Sequence, residues 1–128
     1  MKVLLDTCTL LWATLNPADL SERARTVIAD PGNAILVSAA SAWEISTKVR
    51  LGKLPGAEAL ETQFEEALEA AGYTQLAIDI GAALRAGRLP GVHRDPFDRM
   101  IAAQAIGLDI AVLSPDVQLD TLAVRRIW

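Results

Sequence analysis

The stretch Lys2-Val3-Leu4-Leu5-Asp6-Thr7 decides how the chain reads. Val3, Leu4 and Leu5 form an unbroken apolar run, too short for a helix, which is the pattern of a strand buried on both faces. The run stops on a carboxylate. Open α/β sheets take their ligands at the carboxyl ends of the strands. Asp6 therefore stands where chemistry is expected. An acid closing an apolar central strand has few purely structural uses, so the rest of the chain is read for residues that return to the same edge.

Outward from this strand, apolar periodicity predicts helices over residues 8–15, ended by Asn16-Pro17, and 21–29, followed by the turn Asp30-Pro31-Gly32-Asn33. A second strand is expected over 34–37. Ser38 or Ser41 can cap the next helix, which carries Glu44 and is closed by Gly52. One helix is expected over 58–71, with Leu60, Phe64, Ala67 and Leu68 buried and Gly72 terminating it. A strand over 73–78 follows, then a helix capped by Asp79 and ending at Gly87. After a loop, Asp95 is a natural N-cap and Pro96 suits the first helical position. That helix runs to Ile106 with Gly107 as its stop. A fourth strand is expected over 108–113, a short helix over 114–119 and a last strand over 123–127. Strands alternating with helices imply a parallel sheet covered on both faces, with right-handed crossovers.

The 128 residues suit one domain spanning 1–128, and a 52% hydrophobic fraction is ample for a core. No apolar run approaches the ~20 residues of a membrane span. The chain enters a strand without a charged and then apolar leader, and its single cysteine, Cys8, can form no internal disulfide. Both features point to a cytosolic, reducing setting. A net charge of −4 argues against a general nucleic-acid coat protein. It leaves room for a nuclease whose metal and local basic groups offset the acids, and it suits a basic partner.

Parallel topology delivers three later acids to the edge where Asp6 sits. Glu44 lies early in the helix after the second strand, and Asp116 lies just past the fourth. Asp98 is in the first turn of a helix that runs back antiparallel to the sheet, so its start lies at the same rim. Ile101, Ala102 and Ala105 share the helical face of Asp98, which turns the acid inward. Clustered carboxylates raise one another's pKa unless a cation intervenes. Hard oxygen ligands suit Mg2+ or Mn2+, and such ions activate water and stabilise phosphate charge. No Cys/His cluster offers a zinc site.

Simpler roles compete at each position. Ser41-Ala42-Trp43-Glu44 fits a capping box, and an acid at Asp116 is favoured by the helix dipole. Asp95 reads as a cap with supporting contact to the site as a further role. Thr7 and Ser114 could bind a water of the metal site or cap the helices they begin. Arg94, Arg99 and Lys48 could contact backbone phosphate, with Arg50 and Lys53 on the same wall; solubility is the rival account. Arg85 and Arg88 read as solvated loop charges, His93 as a loop residue rather than a general base, and Cys8 as a small semi-buried side chain. Trp12, Trp43 and Trp128 read as core or interface.

Several segments together resemble the PIN domain, and most closely its VapC-type toxin branch. They are Leu4-Leu5-Asp6-Thr7, Ser41-Ala42-Trp43-Glu44-Ile45, Leu51-Gly52-Lys53-Leu54 and Leu113-Ser114-Pro115-Asp116. With them stands the long run His93-Arg94-Asp95-Pro96-Phe97-Asp98-Arg99-Met100-Ile101-Ala102-Ala103-Gln104-Ala105, the most specific of the set. The resemblance implies a three-layer α/β/α sandwich with strand order 3-2-1-4-5. It implies a Mg2+- or Mn2+-dependent ribonuclease, with Asp6, Glu44, Asp98 and Asp116 as metal acids and RNA as substrate. It further implies a homodimer held in check by a cognate VapB-like antitoxin. Many members have Thr where Ser114 stands. Two other readings remain at this stage. One is a phosphatase with Asp6 as covalent nucleophile, which would want Asp-x-Asp where Cys8 replaces the second acid. The other is a catalytically silent regulatory binding module.

Overall fold

The structure, a computed structural model, describes residues 1–128. In chain order it comprises β1 (Lys2–Leu5), α1 (Thr7–Leu15), α2 (Glu22–Ala29), β2 (Ala34–Ser38), α3 (Ala39–Arg50), α4 (Glu58–Thr62), α5 (Phe64–Ala71), β3 (Thr74–Leu76), α6 (Ile80–Arg88), α7 (Pro96–Leu108), β4 (Ala111–Leu113) and β5 (Arg126–Ile127). Single 3-10 turns cover Pro17–Asp19 and Val117–Leu122. The strands form one parallel sheet in the order β3-β2-β1-β4-β5. β1 is central, with Leu4 opposite Leu36 on one side and Val112 on the other.

Successive strand residues point to opposite faces, and the sheet uses both. Val3, Leu5, Ile35, Val37 and Leu113 pack under Leu10, Ala24, Val27, Ile45, Leu60 and Leu68, drawn from α1 to α5. Leu4, Leu36 and Val112 pack on the other face against Ile101, Ala102 and Ala105 of α7, together with Leu119, Leu122 and Val124. The result is a three-layer sandwich. The small α7 face lets that helix lie close to the sheet. The buried Gln104 fixes its position: its Oε1 accepts from Ser38 Oγ at 2.5 Å, and its amide donates to Ala77 O at 3.1 Å. No helix is long and apolar enough to cross a membrane.

Several boundaries differ from expectation. The segment over 58–71 is two helices, because Gln63 leaves helical backbone at φ −114°, ψ 35°. The bend still allows Leu60 and Leu68 to reach the same core. Gly107 does not end α7. The helix continues to Leu108, and Asp109 takes the left-handed cap at φ 54°. A Cβ at Gly107 would lie 2.5 Å from the tip of the Arg85 side chain, which would have to swing aside. β3, β4 and β5 are shorter than the segments expected for them, covering Thr74–Leu76, Ala111–Leu113 and Arg126–Ile127.

Leu4 is fully buried at the centre of both pairings. Leu4→Ala should destabilise the protein by about 2–5 kcal/mol, read as a lower urea midpoint with an unchanged slope.

Candidate active site

The carboxyl edge of β1 and β4 carries the site. Asp6 follows β1 and is the N-cap of α1: one carboxylate oxygen accepts from Thr9 N–H at 2.8 Å. The other accepts from Ser114 Oγ at 2.5 Å, at the end of β4. Thr9 Oγ1 donates to Leu113 O at 2.8 Å, tying α1 to the same strand end. Asp6 is buried, and that burial pushes its carboxyl above the usual range. Hydrogen bonds from Ser114 and Thr9 act in the opposite direction.

Glu44 does not belong to a capping box. The N-cap of α3 is Ser38, whose Oγ accepts from Ala40 N–H, so Glu44 lies beyond the first turn. Its carboxylate is buried. Oε2 is held by Lys48 Nζ at 2.5 Å, one helical turn on, while Oε1 is buried with no partner. Burial lowers the affinity of Lys48 for its proton, but the bond to Glu44 and the surrounding acids leave the ammonium raised overall. Thr7 and Ser41 share a hydroxyl hydrogen bond of 3.0 Å that links the start of α1 to α3. Thr7 is thus a bridge between helices, and the cap it might have supplied comes from Asp6.

Asp95 is the N-cap of α7, accepting from Phe97 N–H at 2.8 Å and Asp98 N–H at 3.3 Å. Asp98, in the first turn, has its carboxyl raised to about 7, first by desolvation and then by the charges of Asp95, Asp6 and Glu44. Asp116 caps the Val117–Leu122 turn through Gln118 N–H at 2.9 Å, and its own N–H donates to Ser114 Oγ at 3.0 Å. Ser114 therefore joins Asp6 to Asp116. Half-buried Cys8 feels the charge of all four acids, after desolvation as the larger cause, and its thiol is pushed up to about 11. The four acids separated in sequence thus share one electrostatic environment.

His93 is the residue that sequence reasoning undervalued. It is buried, with Nε2 2.9 Å from Asp116 Oδ2 and 3.3 Å from Asp98 Oδ2. A single histidine in a polar loop carries no periodic signal, and only tertiary contact reveals its neighbours. The expectation that Arg99 contacts phosphate is corrected. Its guanidinium donates to His93 O at 3.1 Å, to Ala86 O at 3.0 Å and to Leu89 O, so it straps the loop before α7. Arg94 is exposed beside His93, at a recess shared with Gly91 and Val92.

The donor set suits a hard divalent cation. One oxygen from each of Asp98 and Asp116 lies with His93 nitrogen within 4.8 Å of one another. The unpartnered Glu44 Oε1 and the raised Asp98 carboxyl mark a crowding of acids that Lys48 and His93 offset only in part.

The chain belongs to the PIN domain family, whose model matches residues 3–124. Ribonuclease VapC16 of Mycobacterium tuberculosis is 40% identical over 62 residues, which cover 48% of this chain and 44% of that protein. VapBC2 from Rickettsia felis, in a crystal structure bound to a promoter DNA fragment, has the same fold. It aligns with a TM-score of 0.72 at 14% identity over 99% of this chain and 98% of that one. FitAcB from Neisseria gonorrhoeae aligns with a TM-score of 0.66 at 20% identity, covering 98% and 96% of the two chains.

Asp98 sets a pH dependence of known sign. Its folded pKa of about 7 exceeds its ordinary 3.8, so the metal-free fold loses stability as pH rises between those values and gains no further slope above them. In EDTA, Asp98→Asn should therefore melt above the parent at pH 8, with the gap closing towards pH 4. Thermal unfolding at both pH values checks this.

Proposed function

We propose that the protein is a divalent-metal-dependent endoribonuclease, the toxin of a type II toxin–antitoxin pair. The observation that carries this reading is Glu44 Oε1, a buried carboxylate oxygen without a partner, in a residue whose charge is felt at the same rim as those of Asp6, Asp98 and Asp116. PIN family membership and the partial match to a ribonuclease support it. The chemistry assigned here follows from the residues. Asp6, Glu44, Asp98 and Asp116 would hold Mg2+ or Mn2+, which supplies Lewis acidity at a phosphate oxygen and a more acidic water. Thr9 N–H and Ser114 Oγ keep the Asp6 carboxylate from rotating. Lys48 balances one oxygen of Glu44 while staying partly exposed, and Arg94 is free to meet a phosphate at the rim.

A phosphatase with Asp6 as covalent nucleophile is less favoured, since Cys8 stands where such an enzyme would place its second acid. We assign the site's regulation to a VapB-like antitoxin, in keeping with the VapBC structure of the same fold. A homodimer is supported by the apolar surface around Trp43, 64% exposed and edge-on to Phe97 at 4.9 Å, which borders a recess lined also by Ile78, Pro96 and Met100. The absence of a disulfide partner for Cys8 suits the cytoplasm.

Cleavage of a labelled RNA tests the reading. The parent should cut with Mn2+ or Mg2+ and stop in EDTA. Asp6→Ala and Asp98→Ala should fall to background while keeping their circular dichroism. Cutting that survives EDTA, or an unaffected Asp6→Ala protein, would sink it.

A further inference from the structure

We propose that His93 is a positioning residue that holds Asp98 and Asp116 in register for the cation, without ligating the cation itself. The inference rests on the metal-dependent reading above and assigns the site an additional residue.

The tautomer follows from the contacts. His93 Nδ1 accepts from Asp95 N–H at 3.3 Å, so the ring proton of the neutral imidazole sits on Nε2. That N–H donates to Asp116 Oδ2 at 2.9 Å, and Asp98 Oδ2 lies 3.3 Å from the same nitrogen. A nitrogen that carries a proton has no lone pair for a metal. The ring edge instead stands between two carboxylates that would otherwise repel, one from α7 and one from beyond β4. Asp116 Oδ1 is already held by Gln118 N–H, so the His93 bond fixes its second oxygen and removes its last rotation. Asp98 meets the ring through Oδ2 alone, at 3.3 Å.

The ring is itself built in. Arg99 donates to the His93 carbonyl, and the same guanidinium grips Ala86 O and Leu89 O at the end of α6. Gly91 sets the loop's approach: at φ +125° its missing Cβ would lie 2.7 Å from Thr121 O. The loop is thus docked on the turn that Asp116 caps. Histidine and carboxylate contacts of this kind orient metal ligands elsewhere, and their loss lowers metal affinity by about 10–100-fold.

Mn2+ affinity by titration calorimetry tests the role apart from catalysis. His93→Gln keeps a donor that reaches the carboxylates and should bind Mn2+ within about threefold of the parent. His93→Asn keeps an acceptor for Asp95 N–H but loses that reach, and should bind about tenfold or more weakly. His93→Ala should match Asn. Equal affinity in the Asn and Gln variants would overturn the proposal. So would coupling of bound Mn2+ to an imidazole nitrogen in pulsed electron paramagnetic resonance, which would make His93 a ligand. A parent protein that binds no Mn2+ would remove the metal reading and this inference together. A parent that binds Mn2+ but cuts no RNA would overturn only the nuclease, leaving the His93 comparison decisive.

Discussion

Repulsion between carboxylates is the constraint to which the rest of this structure is fitted. Four acids share the carboxyl edge of a parallel sheet, and the interior offers them little water. Nearly every polar contact at this edge moderates that repulsion or fixes an oxygen against it. Ser114 joins Asp6 to Asp116, Lys48 covers half of Glu44, and His93 spans Asp98 and Asp116. The scaffold supports the arrangement from below. β1, flanked by β2 and β4, is buried on both faces, and the Gln104 amide anchors α7 to the ends of β2 and β3. A rigid frame is what allows unfavourable charges to be kept close, because a softer one would relax them apart.

Much of this was legible in the chain. The apolar runs around Leu4, Leu36 and Val112 announce strands buried on two faces. Their alternation with amphipathic segments implies the parallel order, and parallel order delivers Asp6, Glu44 and Asp98 to one rim. The α7 start was readable in detail, since Asp95-Pro96 combines a capping acid with a preset φ. These features are local, so periodicity and capping chemistry reveal them.

What was not legible depends on contacts between distant residues. Asp6 reads from sequence as an acid with few structural uses, and the fold supplies one: it caps α1. Glu44 looked like half of a capping box only because Ser41 precedes it by three residues; the cap is Ser38, where β2 turns directly into α3. Gly107 looked like a stop signal, but the helix runs on to Leu108 and Asp109 takes the left-handed cap. Arg99 lies in a basic run suggestive of phosphate binding, but backbone carbonyls of the end of α6 and of the loop before α7 take its donors. In each case the residue type was informative and its partner was not, because the partner is chosen by the fold.

The spread of the acids along the chain has a consequence during synthesis. A nascent chain released only through α7 already carries Asp6, Glu44 and Asp98, but it lacks β4, the inner neighbour of β1, and Ser114, which grips Asp6. The acid cluster is therefore closed only when residues 111–116 join the sheet, and no fragment that stops before them contains it. The four acids meet only in a completed fold, so a folding intermediate that lacks β4 carries three of them without the site.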